Sequence, residues 1–196
     1  MRNYRELLCV LATGSIMLLC LGATVSKSKT HELRCQDNLR RLHALTAQYD
    51  AEYGRTPPPV VKGKPVFFDS FLRPLTQDRL TFACPADPRN AYLYEPDTPL
   101  FPAPPQVVAS YGMNFFFTDE AAERANIRPP SLKKVRTPSR MVLFGDCTIP
   151  YMKMPWFWDK AYDPRHGGRS WFVFADGSTG LFSKSQFGTT EERWKW

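Results

Sequence analysis

The stretch most suggestive of chemistry is DPRHGGRSWFVFADGST, residues 163–179, in which nine residues separate His166 from Asp176. His166 beside Asp146 or Asp176 could act as a base with its orienting carboxylate, or the pair could bind a metal. The alternative is structural: His166 steadies a loop, and Asp176-Gly177 forms the turn of a β-hairpin. Because the chain carries no GxSxG, HExxH, P-loop or GxGxxG motif, the structural interpretation is favoured and no catalytic residue is predicted.

Other residue types could serve binding instead of catalysis. Carboxylates such as Asp146 and Asp176 could supply oxygen ligands to calcium, although no EF-hand spacing is present. Trp156 and Trp158 lie in PWFWDKAY and could contact a glycan or a protein. These residues support an alternative function, an exported envelope module that binds polysaccharide or calcium and has a cleaved signal peptide.

The cysteines bear on both redox state and metal binding. Cys35, Cys84 and Cys147 lie outside the apolar N-terminal stretch, and the chain contains no CxxC pair, so a zinc finger is not indicated. In an oxidising compartment Cys35 and Cys84 are the preferred disulfide partners. Three buried free thiols are the alternative.

Charge and composition exclude one class of partner. The net charge is +7, but Lys and Arg are spread along the chain without a basic run, so no nucleic-acid partner is expected. Eighteen prolines indicate a loop-rich domain with short strands.

The elements that must position these residues begin with an uncharged stretch from Leu7 to Val25, 19 residues long. This length favours a membrane-spanning helix, with a cleaved signal peptide as the alternative. Gly54 followed by prolines ends the next helix. Polar residues such as Asp50 form one face of that helix, and apolar residues recur at helical spacing on the other: Leu33, Leu39, Leu42, Leu45, Tyr49 and Tyr53. We therefore expect a transmembrane segment at 1–25, an amphipathic half of the same helix at 26–54, and a β-rich globular domain at 55–196.

Within that domain the sequence predicts a short helix around Phe67–Leu72, a turn at CPADP, and strands within 110–117 and 140–146. The clearest local pattern predicts a hairpin, with strands at Ser170–Phe174 and Thr179–Phe182 joined by Asp176-Gly177.

Five stretches occur in a recognisable order: CQDNLRRLHALTAQYDAEYGRTPPP, CPADP, SYGMN, VLFGD and RHGGRSWFVFADGS. This order resembles prepilin-like proteins related to type II secretion pseudopilins, in the group with a C-terminal His–nine residues–Asp-Gly signature. In that resemblance His166, Asp176 and Gly177 mark the last hairpin. The family's processing site is replaced here by MRNYRE.

The resemblance implies an α+β, pilin-like fold. A long N-terminal helix, membrane-spanning in its first half, would pack on a small antiparallel β-sheet with long proline-rich loops. It also implies a single-pass inner-membrane protein with its globular domain in the periplasm or outside. The function would be structural and non-enzymatic, without a cofactor. Partners would be membrane lipid and either other copies or other pseudopilins through the N-terminal helix, with Glu6 as the residue important for assembly.

Overall fold

A computed structural model of the chain describes residues 29–59, 67–88, 110–117, 131–152 and 162–187. The described part combines helices with a five-stranded sheet, so the predicted α+β class is confirmed. The elements are α1 (29–53), α2 (Phe68–Leu72), β1 (Tyr111–Asn114), β2 (Val142–Asp146), β3 (Tyr151–Met152), β4 (Ser170–Phe174), β5 (Thr179–Phe182) and α3 (Lys184–Phe187).

One face of α1 packs on the sheet. Leu39, Leu42 and Tyr49 are buried at spacings of three and seven, which align side chains along one face of a helix. The helix ends at residue 53, because Gly54 takes a φ of +69° and its N–H closes on the carbonyl of Asp50 at 2.8 Å. The predicted end at Gly54 is therefore confirmed.

The ends of the predicted apolar face differ from expectation. Leu33 and Tyr53 belong to the apolar pattern, yet their side chains are 58% and 56% exposed. Asp50, predicted on the polar face, is buried, and its Oδ2 accepts from Ser131 Oγ at 2.8 Å and from Leu132 N at 3.1 Å. These two hydrogen bonds offset the free-energy cost of burying the carboxylate.

The predicted inner-membrane location is contradicted by the helices of the described residues, of which none is both long and apolar enough to cross a bilayer. Within those residues α1 is amphipathic, with one buried face and one exposed face that carries charges. Segment 1–25 and the proline-rich stretch 95–106, for which a loop is predicted, lie outside the described residues.

The strand order is β3-β1-β2-β4-β5, and the sheet is mixed instead of antiparallel as predicted. Three pairs are antiparallel, but β3 pairs parallel to β1, with Met113 opposite Tyr151. The short connection 147–150 returns the chain past Gly112, where a Cβ would lie 2.9 Å from Cys147 and from the Ile149 carbonyl oxygen. This close passage lets the chain leave β2 and run along the far side of β1.

The sheet separates two apolar clusters. Trp171 and Val173 pack with the cluster that includes Leu39 and Leu42 of α1, whereas Phe172 and Phe174 belong to the other cluster. This alternation is the two-residue period of a strand that is covered on both faces. The predicted hairpin is confirmed, since β4 and β5 have the expected bounds and Gly177 has a φ of +84°.

Gly145 lies where the sheet is tightly packed, so a larger residue at this position tests the packing. A Cβ at this position would lie 2.4 Å from Cδ1 of Phe172, whose ring is fully buried. We expect Gly145→Ala to lower the free energy of unfolding by about 1–3 kcal/mol, as overpacking does in a filled core. Urea denaturation followed by tryptophan fluorescence measures the change.

Gly180→Ala is the matched control. Its added Cβ would meet the Phe182 ring at 2.3 Å, but Phe182 is only partly buried and its ring can turn away. Equal unfolding midpoints for the two variants would contradict this account of the packing.

Candidate metal centre

Four side chains from distant parts of the chain meet in the interior: Cys35, Cys84, Asp146 and His166. Their sulfur, nitrogen and carboxylate oxygen atoms all lie within 4.8 Å of one another. Each residue is at most 4% exposed. We refer to these four residues as the Cys-Asp-His cluster.

Helix α1 supplies Cys35 from its buried face, one turn before Leu39. Asn38 lies on the same face, and its amide donates to the carbonyls of Leu80 and Ala83 at 3.0 and 2.9 Å. These bonds hold α1 against the segment that leads into Cys84. They therefore help to bring the thiols of Cys35 and Cys84 together.

Cys84 opens the predicted CPADP turn, which is confirmed by the bond from Asp87 N to the Cys84 carbonyl at 3.0 Å. Strand β1 supplies a supporting contact, since the Tyr111 hydroxyl donates to Cys35 Sγ at 3.3 Å. The hydroxyl of a fully buried tyrosine requires such a partner.

Asp146 is the last residue of β2 and is fully buried. Its Oδ2 accepts from the backbone N–H of Trp171 at 2.6 Å and lies 3.4 Å from His166 Nε2. Its Oδ1 lies 3.4 Å from Cys35 Sγ. The carboxylate therefore joins α1, the loop before β4 and β4 itself.

His166 enters the cluster from a tight turn that precedes β4. The N–H of His166 bonds to the carbonyl of Arg169 at 3.0 Å, and Gly167 and Gly168 take positive φ values of +60° and +80° between them. Two successive positive values are accessible to glycine at little cost, so the Gly-Gly pair makes the turn. The nine residues between His166 and Asp176 are then three of this turn, five of β4, and Ala175.

Arg165 packs beside the cluster as a buried cation. Its side chain is 2% exposed and bonds to Asp87 Oδ2 at 2.8 Å, to the Cys147 carbonyl at 3.1 Å and to the Asp163 carboxylate. Burial lowers the pKa of Arg165, but the charges of Asp146, Asp163 and Asp87 outweigh burial and raise it overall. This cation ties the CPADP turn to the loop that carries His166.

The pKa values of three side chains in the cluster are shifted from their ordinary values. The hydrogen bond with Cys35 lowers the pKa of Cys84, burial opposes it, and the contact with His166 lowers it further, to about 6. Burial disfavours the charged form of His166, but its contacts with Asp146 and Cys84 raise its pKa to about 9. Burial raises the pKa of the Cys35 thiol well above its ordinary value. Such shifts are typical of functional sites and of buried networks alike.

The geometry of these groups distinguishes a catalytic arrangement from a metal-binding one. A cysteine hydrolase needs the nucleophile on one ring nitrogen of histidine and the orienting carboxylate on the other. Here Cys84 Sγ and Asp146 Oδ2 both face His166 Nε2, each at 3.4 Å. Donor atoms that converge on one point, without a relay through the ring, are suited to holding a metal ion.

The predicted site residues are distributed as follows. The structure brings His166 to Asp146, one of the two partners considered for it, but Asp176 caps the hairpin turn by accepting from Ser178 N at 2.9 Å. The register of β2 with β4 places Asp146 and Asp176 at opposite ends of the strand pair, so one calcium ion cannot bridge them. Glu6, Trp156 and Trp158 lie outside the described residues.

The cysteines meet as predicted but are not bonded. Cys35 and Cys84 are adjacent free thiols, and Cys147 is a third buried thiol outside the cluster. Sequence reasoning missed that Cys35 and Cys84 join Asp146 and His166, because no local spacing such as CxxC marks ligands that come from four separate segments. The available signal was that each residue lies in one of the five ordered stretches.

Comparisons with family models, with curated proteins and with solved structures found no match to this chain. The resemblance to pseudopilin-related proteins therefore rests on the five quoted stretches.

The ion pair between Arg165 and Asp87 yields a direct test of what holds the cluster in place. Because Asp87 is fully buried, its replacement removes one of the two carboxylates bonded to the buried charge of Arg165 and leaves Asp163 as the other. We expect Asp87→Ala to cost about 3–5 kcal/mol in the free energy of unfolding, measured by urea denaturation.

Asp37→Ala is the matched control, because Asp37 pairs with Arg41 on the surface and both side chains are more than half exposed. Its loss should cost less than about 1 kcal/mol. Comparable costs for the two variants would show that the buried pair does not support the fold as described.

Proposed function

We propose that this protein is a non-enzymatic, pilin-like assembly subunit, similar to the pseudopilins of type II secretion or type IV pilus-like systems. The observation that carries the proposal is the asymmetry of α1. One face of the helix is buried on the sheet, and the opposite face is exposed along its described length. A subunit that assembles through helix packing needs a long helix with such a free face.

The exposed face is continuous. Leu33, Arg40, Ala44, Gln48 and Ala51 are all exposed, and at about 100° per residue they fall on one side of the helix. Leu33 contributes an apolar side chain that is 58% exposed. We call these five residues the free face of α1.

The composition of the free face suits a second copy of the same helix. Ala44 and Ala51 have small side chains, which allow two helices to approach closely. Charges of both signs lie beside the face, namely Asp37, Arg41 and Glu52. Asp37 and Arg41 pair with each other at 3.1 Å within one copy, and two copies can exchange this pair for pairs across the contact. Self-association through this face is the simplest arrangement that uses these features.

The burial of the Cys-Asp-His cluster supports a structural role over a catalytic one. Cys84 and His166 are 4% and 3% exposed, so the thiol and the imidazole are shielded from substrate. Reaction with a substrate would require these groups to line an open cleft.

The free face is tested by placing a bulky charge at its centre. We expect Ala44→Arg to weaken self-association of the full chain at least tenfold, because the long side chain prevents close approach of two helices. The thermal unfolding midpoint should stay unchanged, since arginine favours helix nearly as well as alanine does. Analytical ultracentrifugation across a concentration series measures the association.

Ser139→Arg is the control, because Ser139 is exposed in the turn before β2 and does not belong to the free face of α1. It adds the same side chain and should leave self-association as in the wild type. A wild-type chain that stays monomeric at all concentrations, or an Ala44→Arg variant that associates like wild type, would refute the proposal.

A further inference from the structure

We propose that the Cys-Asp-His cluster is a structural zinc site, with Cys35, Cys84, Asp146 and His166 as its four ligands. This inference is independent of assembly through the free face of α1, because it concerns the interior of a single chain. It rests on the distances, the donor chemistry and the surroundings of the four side chains.

The distances agree with tetrahedral coordination. Zinc binds sulfur at about 2.3 Å and nitrogen or oxygen at about 2.0–2.2 Å, which places neighbouring ligand atoms about 3.3–3.8 Å apart. The separations from Cys35 Sγ to Asp146 Oδ1 and from Cys84 Sγ to His166 Nε2 are each 3.4 Å, and His166 Nε2 lies 3.4 Å from the other oxygen of the same carboxylate, Oδ2. All four ligand atoms lie within 4.8 Å of one another, so small side-chain movements complete a coordination shell.

The donor set selects the class of metal. Two thiolates and an imidazole are ligands that zinc prefers, and a single carboxylate completes four-coordinate zinc. Calcium takes six to eight oxygen ligands, and this cluster offers one carboxylate. The donor set therefore favours zinc over calcium, the alternative considered for the aspartates.

The surroundings are those of a site already positioned for an ion. The Tyr111 hydroxyl donates to Cys35 Sγ at 3.3 Å, and the Trp171 N–H donates to Asp146 Oδ2 at 2.6 Å. Contacts of this kind orient metal ligands and strengthen binding. Four protein ligands and near-complete burial leave no position for substrate, which makes the site structural.

The competing state of the same atoms is a disulfide between Cys35 and Cys84. Both are free in the structure, and a disulfide would remove two of the four ligands. Zinc binding and this disulfide are therefore mutually exclusive, so one preparation can distinguish them.

The test uses the full chain with Cys9 and Cys20 replaced by serine, purified with a phosphine reductant and without added chelator. Elemental analysis by mass spectrometry should find one zinc per chain. Chelation should lower the thermal unfolding midpoint, and one equivalent of zinc should restore it. Cobalt(II) should give the visible bands of tetrahedral coordination and a near-ultraviolet thiolate-to-cobalt band.

Cys84→Ser and Asp146→Asn should lower zinc affinity more than the roughly 10–100-fold that loss of a supporting contact costs. Cys147→Ala is the matched control, because Cys147 is a buried free thiol outside the cluster, and it should keep one zinc and the cobalt spectrum. The wild-type measurements stand even if a ligand variant fails to fold.

Three results would overturn the proposal. One is a reduced chain that contains no zinc and whose thermal unfolding midpoint does not change when zinc is added. Another is a Cys35–Cys84 disulfide in the native protein, found by peptide mapping without reduction. The third is a cobalt spectrum without thiolate bands, or one that Cys84→Ser retains unchanged.

Discussion

The buried carboxylate of Asp146 is the constraint on which the rest of the arrangement depends. An ionised group in the interior is costly unless charges and hydrogen bonds surround it. Asp146 is fully buried at the end of β2, and its two oxygens reach the Trp171 N–H, the His166 ring and the Cys35 thiol. These partners come from β4, from the turn before it and from α1, so compensating one carboxylate requires the helix, the hairpin and the central strand to meet at one place.

The same requirement explains why the short sequence stretches occur together. CQDNL contributes a thiol from α1, CPADP contributes the second thiol, and SYGMN contributes the Tyr111 hydroxyl that supports the first. VLFGD ends in the carboxylate, and RHGG supplies the imidazole together with Arg165, the cation paired with Asp87 of CPADP. Each stretch is weakly informative when considered alone because it contributes one or two atoms to a site assembled by the fold. Their order along the chain reflects the order of the elements that position them.

The sequence was sufficient for features that depend on neighbouring residues. The helix end at Gly54 and the Asp176-Gly177 hairpin follow from glycine at positive φ, a local property that can be read from a few residues. Features that depend on distant contacts were missed. The parallel pairing of β3 requires passage of the 147–150 connection against Gly112, and no local pattern marks it. The cluster was missed for the same reason, since its four ligands share no short spacing. Tyr53 shares the face of Leu42 and Tyr49 but is exposed, because periodicity indicates which residues share a face and not how far the covering sheet extends.

The long-range bonds of α1 have a consequence for synthesis of the chain. Gln36 donates to Thr179 and His43 contacts the Ala175 carbonyl, pairs that are 143 and 132 residues apart. At about 5–20 residues per second, the ribosome needs roughly 7–30 seconds to make the partners of a helix it has already produced. During that interval the sheet that covers the apolar face of α1 is incomplete, because β4 and β5 are its last two strands. Helix α1 is thus synthesised early but completes its docking only when the last hairpin appears, so the nascent chain must keep a partly covered apolar face until then.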